Sequence, residues 1–336
     1  MHFFKPKLPP SLQNAAIWVL GFLVSILYLF HFQNSNNDFQ VFMKAGKYFL
    51  EKENSWRKFV DPNAMYLNGA APLILSSILS LIPVKYGLLL VRTMNILVML
   101  AASFIIGRKS PHLPVPGIFV LILLIFPFRS AMEYGQYTIL FTFLAFLLLE
   151  NLVGRRSDSL LAVSALALIV DFKPHIFMGL LIIILLHKRV ELFFKAFCLW
   201  LIIQIIVGLW SHTIPIYEWF LAVKRRSNSV SQGEDNLSLT SHFGSAQFVL
   251  ISFLSAIVIF YIWRHFRKFG VGRLATLEVV AISLILSPLL HPTDMLLVAL
   301  ILLTQGNFSK FHAVLVGLFL VWSPLPAGAI DRKSVV

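Results

Sequence analysis

The sequence predicts an all-α polytopic membrane protein with about 11 transmembrane helices. Of its 336 residues, 58% are hydrophobic and only 13% are charged, and the mean hydropathy is +0.82. A soluble domain of this length needs more charge to cover its surface. The apolar residues also fall into runs that are mostly separated by short polar connections, which is the pattern of successive membrane helices.

The apolar runs differ in length, and several are shorter than the ~20 residues that cross a bilayer as a straight helix. We expect the short runs to be tilted, broken or re-entrant segments packed inside a bundle. No internal repeat divides the chain, so we predict a single domain over residues 1–336, with outer loops at about 33–86 and 212–245. The runs lie at residues 15–32, 66–83, 86–107, 113–128, 136–152, 159–171, 174–187, 191–211, 246–266, 274–290, 292–304 and 311–326.

Basic residues in the short connections set the predicted orientation, because cytoplasmic loops are enriched in Lys and Arg. If the basic connections all face the cytoplasm, both long loops face outward. The run 66–83 then cannot cross the membrane, since a crossing would invert every later loop. It is expected to lie on, or dip into, the outer side. The basic connections carry Arg108 and Lys109, Arg155 and Arg156, Lys188 and Arg189, and the basic residues of 263–273.

The net charge of +13 fits basic loops that face anionic lipid. Nucleic acid is not an expected partner, because no basic cluster is interleaved with aromatic residues. The single cysteine excludes a disulfide framework and a cysteine-based metal site. We expect no cofactor and no metal, because no Asp-x-Asp pair lies at the predicted outer face and Lys or Arg can take a phosphate charge. A metal held by Asp171 or Asp294 is the alternative.

Polar and ionisable residues at bilayer depth are costly, and by default they mark functional sites. In the predicted orientation they collect at the outer side, which indicates a polar cavity open to that face. Asp38 follows the first run, Arg92 lies near the start of the run 86–107, and Lys173 lies in "DFKPH" between two short runs.

Most of these residues also have a purely structural interpretation. Asp38 would be the N-cap of the amphipathic stretch 39–51. Lys173 would extend to the lipid headgroups or pair with Asp171, and His291 would be an interfacial histidine with a local hydrogen bond. Arg92 is harder to explain in this way, because a buried guanidinium needs an anionic partner.

An acid and several cations at one membrane face suit sugar transfer from an anionic, lipid-linked donor. Arg92 or Lys173 would hold the donor phosphate, and the lipid tail would lie among the Phe and Leu side chains. A carboxylate near the water boundary would accept the proton of the attacking hydroxyl. Positive charge would stabilise the phosphate as it leaves.

Several short motifs support this hypothesis by their order along the chain: "NNDFQVFMKAGKYFL", "YGQYTILFTFLAFLLLE", "GRRSDSLLAVSALALIVDFKP", "DNLSL" and "SPLLHP". With these motifs the sequence resembles the GT-C type membrane glycosyltransferases, and most closely the polyprenyl-phosphate-mannose-dependent α-mannosyltransferases of glycosyltransferase family 87. The resemblance implies a GT-C fold with surface helices in the first outer loop. Thr138 departs from the Asn common in the family, and "NGAAP" replaces an aromatic-Pro-Pro element.

The resemblance implies an inverting enzyme that moves a hexose, with mannose as the family's sugar, from a polyprenyl phosphate to a hydroxyl of a lipid-linked glycan or envelope glycolipid. It would lie among the lipids of the plasma (inner) membrane, with its active site facing the periplasm or cell exterior. The alternatives are a transporter or lipid flippase, and a non-catalytic envelope assembly protein with the same fold. The implied roles are catalytic base for Asp38, donor-phosphate binding for Lys173 and Arg92, and sugar or acceptor binding for Gln136, Asn236 and His291.

Overall fold

The computed structural model describes residues 10–30, 37–59, 66–110, 113–153, 159–229, 260, 264 and 295–304. Every regular element in these ranges is a helix, which confirms the predicted all-α class. The helices are α1 Pro10–Phe30, α2 Asn37–Leu50, α3 Ser55–Lys58, α4 Ala70–Ser80, α5 Val84–Gly107, α6 Val115–Leu124, α7 Phe126–Tyr134, α8 Thr138–Val153, α9 Leu160–Phe172, α10 Pro174–Leu186, α11 Val190–Ser211, α12 Pro215–Ser229 and α13 Met295–Leu303.

Within the described ranges, α1, α5 and α11 are long and apolar enough to cross a membrane, and α6 with α7 makes a fourth candidate if the bent pair is one span. These helices indicate a membrane protein. The larger predicted number of spans depends partly on the runs 246–266, 274–290 and 311–326. Apart from residues 260 and 264, those runs lie outside the described residues, so the total stays a prediction.

The predicted run 113–128 is not one helix, because the chain bends by 61° between α6 and α7. Pro127 near the start of α7 has no N–H to donate to the carbonyl of Leu123, which ends α6 and begins a new helix. The Tyr28 hydroxyl from α1 donates to that Leu123 carbonyl at 2.7 Å. The bend is therefore stabilised by a contact with a helix almost a hundred residues earlier, which no local pattern reveals.

Several helix ends meet at one end of the described bundle. Arg92 near the start of α5 donates to carbonyls at the ends of α1 and α7, and Tyr137 at the start of α8 contacts Ser76 of α4. The opposite end is marked by Lys109 after α5, which pairs with Glu150 near the end of α8. We call the first of these the loop end, because α2, α3 and α4 all lie there.

The helix α4, which covers most of the run 66–83, packs against α2 at the loop end. At Gly46 of α2, an added Cβ would lie 2.2 Å from the Ser76 carbonyl oxygen, so the two backbones are in contact. The 11 residues of α4 extend only about 17 Å as a helix, less than the ~30 Å of a bilayer core. This packing is compatible with a segment that returns to the side it came from.

An aromatic cluster fills the space between α2 and the core helices α8 and α9. Tyr137 is its centre: the ring lies 4.4 Å from Phe42 of α2 and 5.5 Å from Phe172 of α9, and Phe172 stacks on Phe141 at 4.0 Å. Aromatic pairs at these distances add packing energy beyond the area they bury. The cluster, defined by these four rings, fixes α2 against the starts and ends of the core helices.

The long segment 212–245 was predicted to be a polar loop, but its first part forms helix α12. Glu218 of α12 is buried and pairs through both carboxylate oxygens with Arg57 of α3, at 2.9 and 2.5 Å. The hydrogen bond to Glu218 raises the pKa of the Arg57 guanidinium above its usual value. Trp219 also donates to the Leu67 carbonyl at 2.7 Å, so α12 holds α3 and the segment before α4 in place.

A cysteine-accessibility experiment tests on which side of the membrane α4 ends. Lys85 after α4 and Arg108 after α5 are both exposed, and the exposed native Cys198 would first be replaced by Ala. We expect a membrane-impermeant maleimide to label Lys85→Cys on intact cells and Arg108→Cys only after permeabilisation. Labelling of Lys85→Cys only after permeabilisation would contradict the predicted outer position of the connection between α4 and α5.

Candidate active site

Asp38 lies in the first turn of α2, at the loop end of the bundle. Helix α2 begins at Asn37, so Asp38 is inside the helix and is not the N-cap that the structural interpretation assumed. A carboxylate in the first turn is favoured by the helix dipole. The side chain is half-buried, and its Oδ2 accepts a hydrogen bond from Gln136 Nε2 at 2.5 Å. The acid is thus held in place and still has contact with solvent.

Gln136 is presented by a short turn between α7 and α8. Gly135 ends α7 in the left-handed conformation with φ of 65°, which glycine adopts without steric cost. A Cβ at this position would also lie 2.7 Å from Leu88 and 2.9 Å from Phe39. The "GQ" pair of the sequence therefore has a geometric explanation: the glycine makes the turn, and the glutamine reaches Asp38.

Lys173 is the single residue between α9 and α10, and its side chain is 7% exposed. This confirms the predicted break at "DFKPH". The Lys173 ammonium lies 5.8 Å from the ring of Phe172, and Phe172 belongs to the aromatic cluster around Tyr137. Since Tyr137 directly follows Gln136, the structure brings Lys173 into the same region as the Asp38–Gln136 pair.

Arg92 is 1% exposed and donates to two backbone carbonyls. Its Nε bonds the Met132 carbonyl at 3.1 Å, and Nη1 bonds the Leu29 carbonyl at 3.4 Å. Both carbonyls lie near helix C-termini, where carbonyl groups lack partners within the helix and attract cations. These two contacts connect the ends of α1 and α7.

Asp171, near the end of α9, is 6% exposed and fully engaged. Its carboxylate accepts from the Ala71 amide at 2.8 Å, from Trp200 Nε1 at 2.7 Å and from Gln204 Nε2 at 2.8 and 3.0 Å. The Asp171 carbonyl also accepts from the Gly69 amide at 2.9 Å. With both oxygens taken by N–H donors, Asp171 is an anchor for the start of α4 and is poorly suited to bind a metal.

No cluster of three or more His, Cys, Asp or Glu side chains occurs within the part of the chain that the structure describes. Asp294, the other alternative metal ligand, lies outside that part, as do the predicted site residues Asn236 and His291. A cavity of about 100 Å³ borders Asp171, between the ends of α9, α11 and α12; Gly69, Val170, Gln204, Ile216 and Trp219 line it as well.

The comparison with family models identifies the chain. The model described as glycosyltransferase family 87 matches residues 66–288, which is more than half of the sequence. The chain belongs to glycosyltransferase family 87. Membership implies a glycosyltransferase with a sugar donor and an acceptor as its substrates. A search of curated proteins and a search of solved structures found no significant match.

The matched range contains some of the predicted site residues and not others. Arg92, Gln136, Lys173 and Asn236 lie within residues 66–288 of this family 87 glycosyltransferase, whereas Asp38 and His291 lie outside. The position of Asp38 in the site therefore depends on its hydrogen bond to Gln136, a residue within the matched range.

Two residues that support the site, Asn95 and Gly69, were not predicted from the sequence. Asn95 of α5 is fully buried, and its Nδ2 donates to the Gln136 carbonyl at 2.8 Å. A buried amide in an apolar helix is a recognisable signal, because burial without a hydrogen bond is costly. Gly69 gave no comparable signal, because the carboxylate that approaches it is about a hundred residues away in sequence.

We expect Gly69→Ala to destabilise the protein. The added methyl group would lie 2.7 Å from the Asp171 carboxylate, and overpacking of this kind costs about 1–3 kcal/mol. The apparent midpoint of thermal unfolding, followed by tryptophan fluorescence in detergent, should fall. Gly117→Ala is the matched control, because its nearest contact is Pro114 at 3.5 Å. Equal midpoints for both variants would contradict the close contact at Gly69.

Proposed function

We propose that this family 87 protein is an inverting glycosyltransferase that uses a polyprenyl-phosphate hexose, with mannose as the first sugar to test. The acceptor is a hydroxyl of a lipid-linked glycan or envelope glycolipid, and the reaction takes place at the outer face of the plasma membrane. The observation that carries the proposal is the Asp38–Gln136 hydrogen bond, which connects a half-buried carboxylate to a residue in the family-matched region.

The reaction is a single displacement at the anomeric carbon. The Asp38 carboxylate accepts the proton of the acceptor hydroxyl as its oxygen forms a bond to that carbon. The bond between the anomeric carbon and the phosphate oxygen breaks, and polyprenyl phosphate leaves with the electron pair. The configuration of the anomeric carbon is inverted. Asp38 then loses its proton to water, for which its partial exposure is suitable.

Lys173 is our preferred residue for the donor phosphate. A buried ammonium stabilises a phosphate more strongly than one in water, because the local dielectric constant is lower. Lys173 is 7% exposed and lies at the loop end, at the break between α9 and α10. Arg92 donates to the carbonyls of Met132 and Leu29 and thereby connects two helix ends, which favours a structural role for it.

Asp38→Asn should abolish transfer. The protein would be purified and given synthetic polyprenyl-phosphate mannose, with polyprenyl-phosphate glucose in parallel and a membrane lipid extract as the acceptor source. Loss of the general base lowers the rate by about 10²–10⁴-fold. The control Glu51→Gln, an exposed acid at the end of the same loop helix, should retain wild-type activity. Equal rates for Asp38→Asn and the wild type would exclude Asp38 as the base.

Lys173→Gln and Arg92→Gln distinguish the two candidates for the phosphate anchor. We expect Lys173→Gln to raise the donor KM by about 10-fold or more, because a hydrogen bond to a charged group contributes about 1.5–3 kcal/mol. Arg92→Gln should mainly lower the midpoint of thermal unfolding, because helix-end carbonyls lose their donor. A raised donor KM in folded Arg92→Gln protein, with an unchanged KM for Lys173→Gln, would reverse the assignment.

A further inference from the structure

We infer that Gln136 is a positioning residue for Asp38, and that Thr138 sets the orientation of the Gln136 amide. The inference rests on the proposed function of Asp38 as the base, and it changes the role of Gln136 from the sugar or acceptor contact expected from the sequence. It is carried by hydrogen bonds between residues of α2, α8 and the turn before α8.

The direction of the Asp38–Gln136 hydrogen bond is unambiguous. A carboxylate only accepts hydrogen bonds when ionised, so the amide nitrogen of Gln136 must face Asp38. This Nε2 donates to Oδ2 at 2.5 Å. One oxygen of Asp38 is therefore fixed by the amide, which restricts rotation of the carboxylate and leaves the other oxygen to receive a substrate proton.

Thr138 gives the same assignment from the other side of the amide. Its hydroxyl donates to Gln136 Oε1 at 3.1 Å. If the amide were flipped, Oε1 would face the carboxylate oxygen and repel it. The Thr138 hydroxyl would then face Nε2, which cannot accept its hydrogen bond. The two partners thus favour one amide orientation. The series runs from the Thr138 hydroxyl through the Gln136 amide to the Asp38 carboxylate.

The backbone of Gln136 is also fixed, so the side-chain amide is attached to a rigid part of the chain. Asn95 Nδ2 donates to the backbone carbonyl of Gln136 at 2.8 Å, and the backbone N–H of Gln136 donates to the Ala131 carbonyl at 2.9 Å. The preceding Gly135 packs against Phe39, the residue after Asp38. Small displacements of a reacting group can cost about 100-fold in rate, so a rigid support of this kind has a catalytic consequence.

The inference predicts a change in kcat rather than in donor or acceptor KM. Gln136→Leu, which removes the amide at similar size, should lower kcat by about 100-fold. Thr138→Val should lower kcat by about 5- to 10-fold, as expected for one lost hydrogen bond, and Thr138→Ser should restore it because serine keeps the hydroxyl. The assay uses the same full-length protein, donors and lipid extract as the Asp38→Asn experiment.

Gln136→Glu provides a readout that a structural role would not change. Two carboxyl groups at hydrogen-bond distance share one proton at low pH, which restores a donor to Asp38. At higher pH both groups ionise and repel each other. The activity of Gln136→Glu should therefore rise as the pH is lowered, relative to the wild type at each pH, whereas Gln136→Leu should stay low throughout.

The outcomes separate this inference from the proposed function. Full activity of Asp38→Asn would remove the base assignment, whatever Gln136 does. If Asp38→Asn is inactive, wild-type kcat in folded Gln136→Leu would overturn the positioning role alone. A raised KM with unchanged kcat would do the same and would return Gln136 to substrate binding. If Gln136→Leu fails to fold, equal kcat for Thr138→Val and Thr138→Ser would overturn the inference.

Discussion

The buried carboxylate of Asp171 is the interaction on which the loop end of the molecule depends. It accepts hydrogen bonds from the first turn of α4 and from Trp200 and Gln204 of α11, while its own backbone carbonyl holds Gly69. A charge in an apolar interior is stable only when its hydrogen bonds are satisfied, so these segments are held in one arrangement. Helix α4 then packs on α2, and α2 carries Asp38. The position of the candidate base is thus fixed by a second acid that takes no part in the proposed chemistry.

The two acids differ in surroundings, and this difference separates their roles. Asp171 is 6% exposed and has donors on both oxygens. Asp38 is half-buried, and Gln136 occupies one of its oxygens. A general base needs an oxygen that a substrate hydroxyl can reach and a route by which the proton returns to water. Of the two acids, Asp38 is the more exposed, which is why it is the proposed base. From sequence alone the two residues were similar, since each follows an apolar run and each precedes a phenylalanine.

The parts of the fold that were predictable are those encoded by local pattern. Composition and apolar runs predict the all-α class, the starts and ends of α5 and α11 within a few residues, and the break at Lys173. The bend at Ile125 was missed, because it depends on Pro127 together with a hydroxyl donated by Tyr28. Helix α12 was missed because its sequence mixes polar and apolar residues as a loop does. The contact that stabilises it, between Glu218 and Arg57, is distant in sequence. For the site, motif order indicated Asp38, Gln136 and Lys173. It did not indicate that Gln136 bonds Asp38, because the two residues are 98 positions apart and residue spacing does not predict such a contact.

The links that hold α2, α3 and α4 have a consequence for biosynthesis. Asp38 is made early, but its partner Gln136, the anchor Asp171, and the Gln204 and Glu218 contacts of the same region come much later in the chain. At about 5–20 residues per second, the ribosome needs about 10–40 s to pass from α2 to α12. During that interval α2 and α4 lack the surfaces that later cover them. These helices are among the first segments to be synthesised and among the last to reach their final structure, so a chain interrupted before α11 would expose the aromatic side chains of α2 to chaperones and proteases.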